Sequence, residues 1–153
     1  MEKVAALRAK VMAVVKKLEG IAPLLLRLTI GLIFIQTGWG KLHSLDNVTE
    51  FFTNLGIPMP HANAVLVACT EFFGGAALIL GLGARLAAIP MSITMVVATI
   101  TAVWPKLDDK IDVFGKEEFV YFIIFVAIAL LGPGPISVDH LIAKKLDAAA
   151  PKT

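Results

Sequence analysis

From residue 21 onward the sequence alternates long apolar runs with short polar breaks, and four of the runs have the length of a membrane span. About 20 apolar residues in a helix cross a hydrocarbon core about 30 Å thick, and the runs at 21–40, 62–82, 84–104 and 119–135 meet that length or come near it. Ahead of them, Val4, Leu7, Val11, Val14, Val15 and Leu18 recur at helical spacing, with Lys3, Arg8, Lys10, Lys16 and Lys17 on the remaining surface. Residues 1–20 therefore predict a basic amphipathic helix lying on an anionic membrane surface. A cap packed on the ends of the spans is the plainer alternative. Charges recur too often there for the apolar core of a signal peptide. Between the first two runs, Leu45, Val48, Phe52 and Leu55 share one face of a short interfacial helix, with Asn47 and Glu50 as its N-terminal box and Gly56 and Pro58 as its stop. The pattern predicts an all-α integral membrane four-helix bundle over 21–139, preceded by the amphipathic interfacial helix. Residues 140–153 form a cytoplasmic tail without fixed structure after Leu146.

Composition agrees with a lipid environment: 58% of residues are hydrophobic, 17% are charged and the mean hydropathy is +0.82. The net charge of +2 and the lack of a basic stripe interleaved with aromatics leave no nucleic-acid surface. A lone cysteine, Cys69, removes an internal disulfide, a CxxC pair and a thiolate metal cage from consideration. Outside the spans, nine Lys and Arg fall on one side (Lys3, Arg8, Lys10, Lys16, Lys17, Arg85, Lys144, Lys145, Lys152) and four on the other (Lys41, Lys106, Lys110, Lys116), where acidic residues dilute them. By the positive-inside rule both termini of this multi-pass chain are expected in the cytoplasm.

The polar residues inside the runs carry the candidate chemistry. Arg27, Gly31, Phe34, Gly38 and Lys41 fall within about 40° of one line on a helical wheel. Ala64, Ala68, Glu71, Gly75 and Leu78 do the same on the second span, where Gly74 adjoins them. Two faces of small residues predict close approach of these helices. A lone carboxylate in hydrocarbon is too costly, so Glu71 needs a cation or a proton. Arg27 and Glu71 differ by about 7 Å in depth, which an arginine spans, but each side chain leans toward its own helix N-terminus and so away from the other. Pairing of the two stays open, against Arg27 snorkelling to headgroups and Glu71 staying protonated or bonding another helix. Gln36 marks a second polar face, Trp39 and Trp104 read as aromatic-belt anchors, and Glu118 and Tyr121 share a face at the outer end of the fourth run. His43, His61 and His140 all lie outside the spans, so an intramembrane bis-His haem is not expected. No zinc motif, other metal site, phosphate loop or nucleophile triad is present.

Taken in order, Arg27, Gly31, Phe34, Gly38, Lys41-Leu42, "LGIP", "EFFGG" (71–75), "GLGARLAA" (81–88) and "GPGPISVD" (132–139) resemble the DoxX family of small bacterial membrane proteins. The likeness runs from about Arg27 to Asp139. It implies a four-helix fold in the bacterial cytoplasmic (inner) membrane, an association with quinone-linked or thiol-stress oxidoreductase systems, and Arg27, Lys41, Glu71 and Arg85 as residues of interest. The chain carries no added redox domain, and Pro135-Ile136 stands where relatives often have a more polar pair. The expectation is a subunit binding a quinone or other lipophilic molecule, with no covalent cofactor and with a redox protein partner. Arg27 and Glu71 would stand in the pocket wall, Glu71 as proton exchanger or acceptor, with Lys41 at the mouth and Gln36, Trp39, Glu118 and Tyr121 as further binding residues. Gly31, Gly38, Gly74, Gly75 and Arg85 are assigned structural roles. The alternatives are a permease or channel built as a homo-oligomer, and a non-catalytic assembly subunit.

Overall fold

Glycine and proline set the ends of the helices formed by the apolar runs. In the computed structural model, which describes residues 1–149, α1 spans Glu2–Leu18, α2 Ile21–His43, α3 Leu45–Asn54, α4 Pro60–Leu80, α5 Ala84–Ala98, α6 Glu117–Leu131 and α7 Val138–Ala149. No strand occurs among the described residues. Pro60 takes the first position of α4, where its missing N–H would have had no partner anyway. Gly81 (φ 66°) and Gly83 (φ 58°) adopt left-handed conformations and make the tight α4–α5 turn. Pro90 removes one backbone donor inside α5, and beyond Ala98 that helix continues as a wide π turn, Thr99–Val103, and a 3-10 turn, Trp104–Lys106.

Helices α2, α4, α5 and α6 form the bundle. Its most extensive contacts are α2 with α4 and α5 with α6, followed by α4 with α5, while α2 and α6 touch sparsely. The α2–α4 approach depends on glycine. A Cβ on Gly31 would lie 2.7 Å from Ile79 and 2.9 Å from the Gly75 carbonyl, and one on Gly75 would lie 2.8 Å from the Gly31 carbonyl. Gly38 meets the Phe72 backbone, and Gly74 makes room for Met91. Ile30, Phe34, Leu78, Met91, Phe125 and Ile128 fill the space between the four helices. The outward faces carry exposed Leu25, Leu32, Leu66, Phe73 and Ile93, which suit contact with lipid.

Three helical stretches, Ile21–His43, Pro60–Leu80 and Ala84–Lys106, are long and apolar enough to cross a membrane. The fourth bundle helix is shorter than the 119–135 run. It ends at Leu131 because Gly132 (φ 86°) reverses the chain and Pro133 and Pro135 cannot extend a helix, so its 15 residues rise only about 22 Å. The C-terminal segment, expected as a tail from 140, instead begins a helix at Val138 that continues through Ala149, and residues 150–153 lie outside the described part. Helix α3 starts at Leu45, ahead of the Asn47–Glu50 box. No described residue of α1 is buried, so it does not pack as a cap on the helix ends.

Candidate functional site

At the end of the bundle carrying α3, the helices border a half-open chamber of about 910 Å³. Val48, Phe51, Phe52 and Leu55 of α3 form its roof, Phe34, Val67 and Met95 supply apolar wall, and the exposed Leu66 and Ile93 stand at its opening to the outer surface. Thr37, Asn63, Thr70, Thr94 and Thr101 add neutral polar groups. Lys41, Glu71, Glu117 and Glu118 bring charge, and Tyr121 a phenol. Pro90 and the wide turn after Ala98 bracket the part of α5 that lines the chamber.

Lys41 and Glu71 form an ion pair in this wall. Glu71 is 2% exposed and Lys41 32% exposed, so the carboxylate is buried and the ammonium reaches toward the opening. The close approach at Gly38, one turn before Lys41, brings α2 against Phe72, the residue next to Glu71. The direction of the side chains then completes the contact. Lys41 leans toward the α2 N-terminus and Glu71 toward the α4 N-terminus, and because the helices are antiparallel these directions converge. Only Oε1 of Glu71 is engaged. Its Oε2 is buried and has no hydrogen-bond partner, an expensive arrangement that leaves one acceptor free beside the chamber.

Arg27 is not beside Glu71. It is buried at the opposite end of the bundle, donating from Nη2 to the Ile136 carbonyl at 2.5 Å, while Nε and Nη1 have no partner. Its guanidinium packs over Gly81, where any Cβ would overlap it. Nearby, Asp139 accepts from the Gly83 and Ala84 amides at 2.7 and 3.2 Å, capping α5. Arg85 donates to the carbonyls of Ala129, Leu130 and Leu131 at 3.4, 3.1 and 3.3 Å, which closes the C-terminal end of α6. Arg27, Arg85 and Asp139 thus tie the segment after α6 to the α4–α5 turn. That work is structural, and none of the three lines the chamber.

The other predicted binding residues divide between the chamber and the outer surface. Glu118 and Tyr121 line the chamber, and the Tyr121 hydroxyl donates to Glu117 at 3.3 Å. Phe34 stands edge-on to Tyr121, with ring centres 5.5 Å apart. Gln36 is exposed on the outer face of α2, and Trp39 is exposed beside His43 and Phe72. Neither borders the chamber. The sequence reading did not single out the Lys41–Glu71 pair, the α3 roof, Glu117 or the threonines of the wall.

The DoxX family profile matches residues 22–104, more than half of the chain. The chain belongs to the DoxX family. A relative from Bacillus subtilis, named "Putative oxidoreductase CatD", is 31% identical over 81% of this chain and 89% of its own. Two relatives from Escherichia coli are named inner membrane proteins. YqjF is 28% identical over 85% of this chain and 98% of its own, and YphA is 29% identical over 76% and 87%. No solved structure matches. Membership agrees with the helical membrane fold, and the matched region runs from α2 through α5, which carry Lys41, Glu71 and most of the chamber lining.

Proposed function

We propose that this chain is a membrane subunit that binds a quinone or a similar lipophilic carbonyl compound in the chamber and works with a redox partner. The observation that supports it best is the free, buried Oε2 of Glu71 beside the Lys41 ammonium in an otherwise largely apolar cavity. The two groups suit both forms of such a ligand. A quinone carbonyl accepts from Lys41 Nζ, and a quinol hydroxyl donates to Glu71 Oε2. Few placed polar groups in an apolar cleft of this size are the usual make-up of a small-molecule site. The name of the Bacillus subtilis relative favours an oxidoreductase setting, and those of the Escherichia coli relatives favour the inner membrane. Cys69 is the only thiol in the chain, so a dithiol that takes electrons from a bound quinol would have to belong to a partner. The permease reading is less favoured, because the segments around Arg27 and 132–137 at the far end contribute nothing to the chamber lining.

Quinone titration of the protein in lipid nanodiscs tests the proposal. Glu71→Gln, which keeps the shape but loses the charge and one acceptor, is expected to weaken quinol binding about tenfold, as loss of a charge-assisted hydrogen bond does. Gln36→Ala is expected to leave binding unchanged. Equal affinities for wild type and Glu71→Gln would remove the ion pair from the site.

A further inference from the structure

The sparse contact between α2 and α6 leaves a second hollow of about 440 Å³ that opens outward between them. Its walls are Ala22, Thr29 and Ile33 of α2 with Tyr121 and Ile124 of α6, together with neighbouring leucines and Ile30, so Thr29 and Tyr121 are its only polar side chains. Ile33 and Tyr121 also line the chamber, so the two spaces adjoin at these residues. From Ile33, near the middle of α2, to Ala22, near its N-terminal end, the hollow follows that helix for about 16 Å, away from the ion pair and toward the opposite end of the bundle.

We infer that this groove holds the linear apolar tail of the ligand whose polar head rests against Lys41 and Glu71, so that the protein selects tailed, isoprenoid-type quinones over bare aromatic ones. The inference rests on the function proposed above. Three features favour a tail as the occupant. The groove extends along one helix from Ile33 to Ala22, its residues are nearly all apolar, and it borders the head chamber at two shared side chains, Ile33 and Tyr121. Its course suits a long tail, which would leave a head near the α3 end, pass the middle of α2 at Ile33 and run on toward the N-terminal end of that helix. A tail that leaves lipid for this groove gains fit rather than dehydration, so the preference it confers is modest.

Two measurements on the full chain in nanodiscs decide the matter. A quinone carrying a photoreactive group at the end of a long tail should label the groove between residues 22 and 33 of α2 and Ile124, and excess short-tailed quinone should suppress that labelling by displacing the head. In parallel, the long-tailed compound should bind about three- to tenfold tighter than the short-tailed one at equal membrane mole fraction. Thr29→Trp, which fills the groove, should abolish that difference without altering short-tail affinity. Leu32→Trp, on the adjacent outward face and 61% exposed, should change neither. Groove labelling that ignores the competitor, or a Thr29→Trp protein with the full tail preference, would show ordinary lipid in the groove and overturn the inference. Short-tail binding that disappears in Glu71→Gln would still uphold the chamber. A wild-type protein that binds no short-tailed quinone would instead reject the head site, and the tail groove with it.

Discussion

Lys41 and Glu71 meet because each side chain leans toward the N-terminus of its own helix, and in an antiparallel pair this brings together residues placed above and below one another. The same rule separates Arg27 from Glu71. The helical wheel puts all three residues on facing sides of two helices, and side-chain direction turns Arg27 away from Glu71. Lys41 stands on the same face of the wheel as Arg27, near the other end of the helix, and it is the cation that reaches Glu71. Lys41 read as a residue of the outer mouth, because a span drawn to end at residue 40 puts it outside the membrane, whereas α2 continues to His43. The pair makes a stability prediction. Lys41→Met strands the buried carboxylate and should cost about 1–3 kcal/mol in thermal unfolding in detergent. Adding Glu71→Gln should recover much of that loss, since the uncompensated charge is gone. A double variant no more stable than Lys41→Met alone would mean that something other than the stranded charge causes the loss.

At the level of helices, the small-residue faces were legible because glycine spacing alone reports how closely two helices can come, and Gly31, Gly38 and Gly75 all sit in the α2–α4 contact. Gly31→Val should force α2 from α4 against a fixed backbone carbonyl, lowering stability by about 1–3 kcal/mol and widening the chamber enough to weaken quinone binding. Gly40, with nothing within 4 Å of its Cβ position, is the control, and Gly40→Ala should stabilise the helix by about 0.5–1 kcal/mol. Equal behaviour of the two variants in melting curves would deny the close contact its role. The far end of the bundle was less legible. Arg27 binds a carbonyl that lies 109 positions away in sequence, and Asp139 caps a helix 55 positions before it, and no periodicity reports contacts of that range. Asp139→Ala should cost about 0.5–2 kcal/mol through loss of the α5 cap, with quinone affinity unchanged because Asp139 does not touch the chamber. A drop in affinity without a drop in melting temperature would instead tie this end of the bundle to the ligand site.

For the molecule as a whole, the direction in which the chamber faces decides which partner can exchange electrons with a bound quinol. Basic residues gather where α1, the α4–α5 turn and α7 lie, and acidic ones where α3 and the 105–116 segment lie, so the positive-inside rule predicts a chamber facing the outer side of the membrane. The bundle is asymmetric in the same sense. Arg27, Arg85 and Asp139 lock the terminal end through hydrogen bonds to backbone, whereas at the other end the roof is α3, a ten-residue helix with no buried residue. That roof packs on α4 through partly exposed side chains and borders the same chamber as Glu71. Single cysteines on a Cys69→Ser background can read the orientation. A cysteine at Asn54 should react with a membrane-impermeant maleimide in intact cells, and one at Lys10 only after lysis. Bound quinone should slow labelling at Asn54 if the roof closes over the ligand, and leave Lys10 unaffected. The opposite labelling pattern would turn the chamber to the cytoplasm and would require the redox partner to be a cytoplasmic protein.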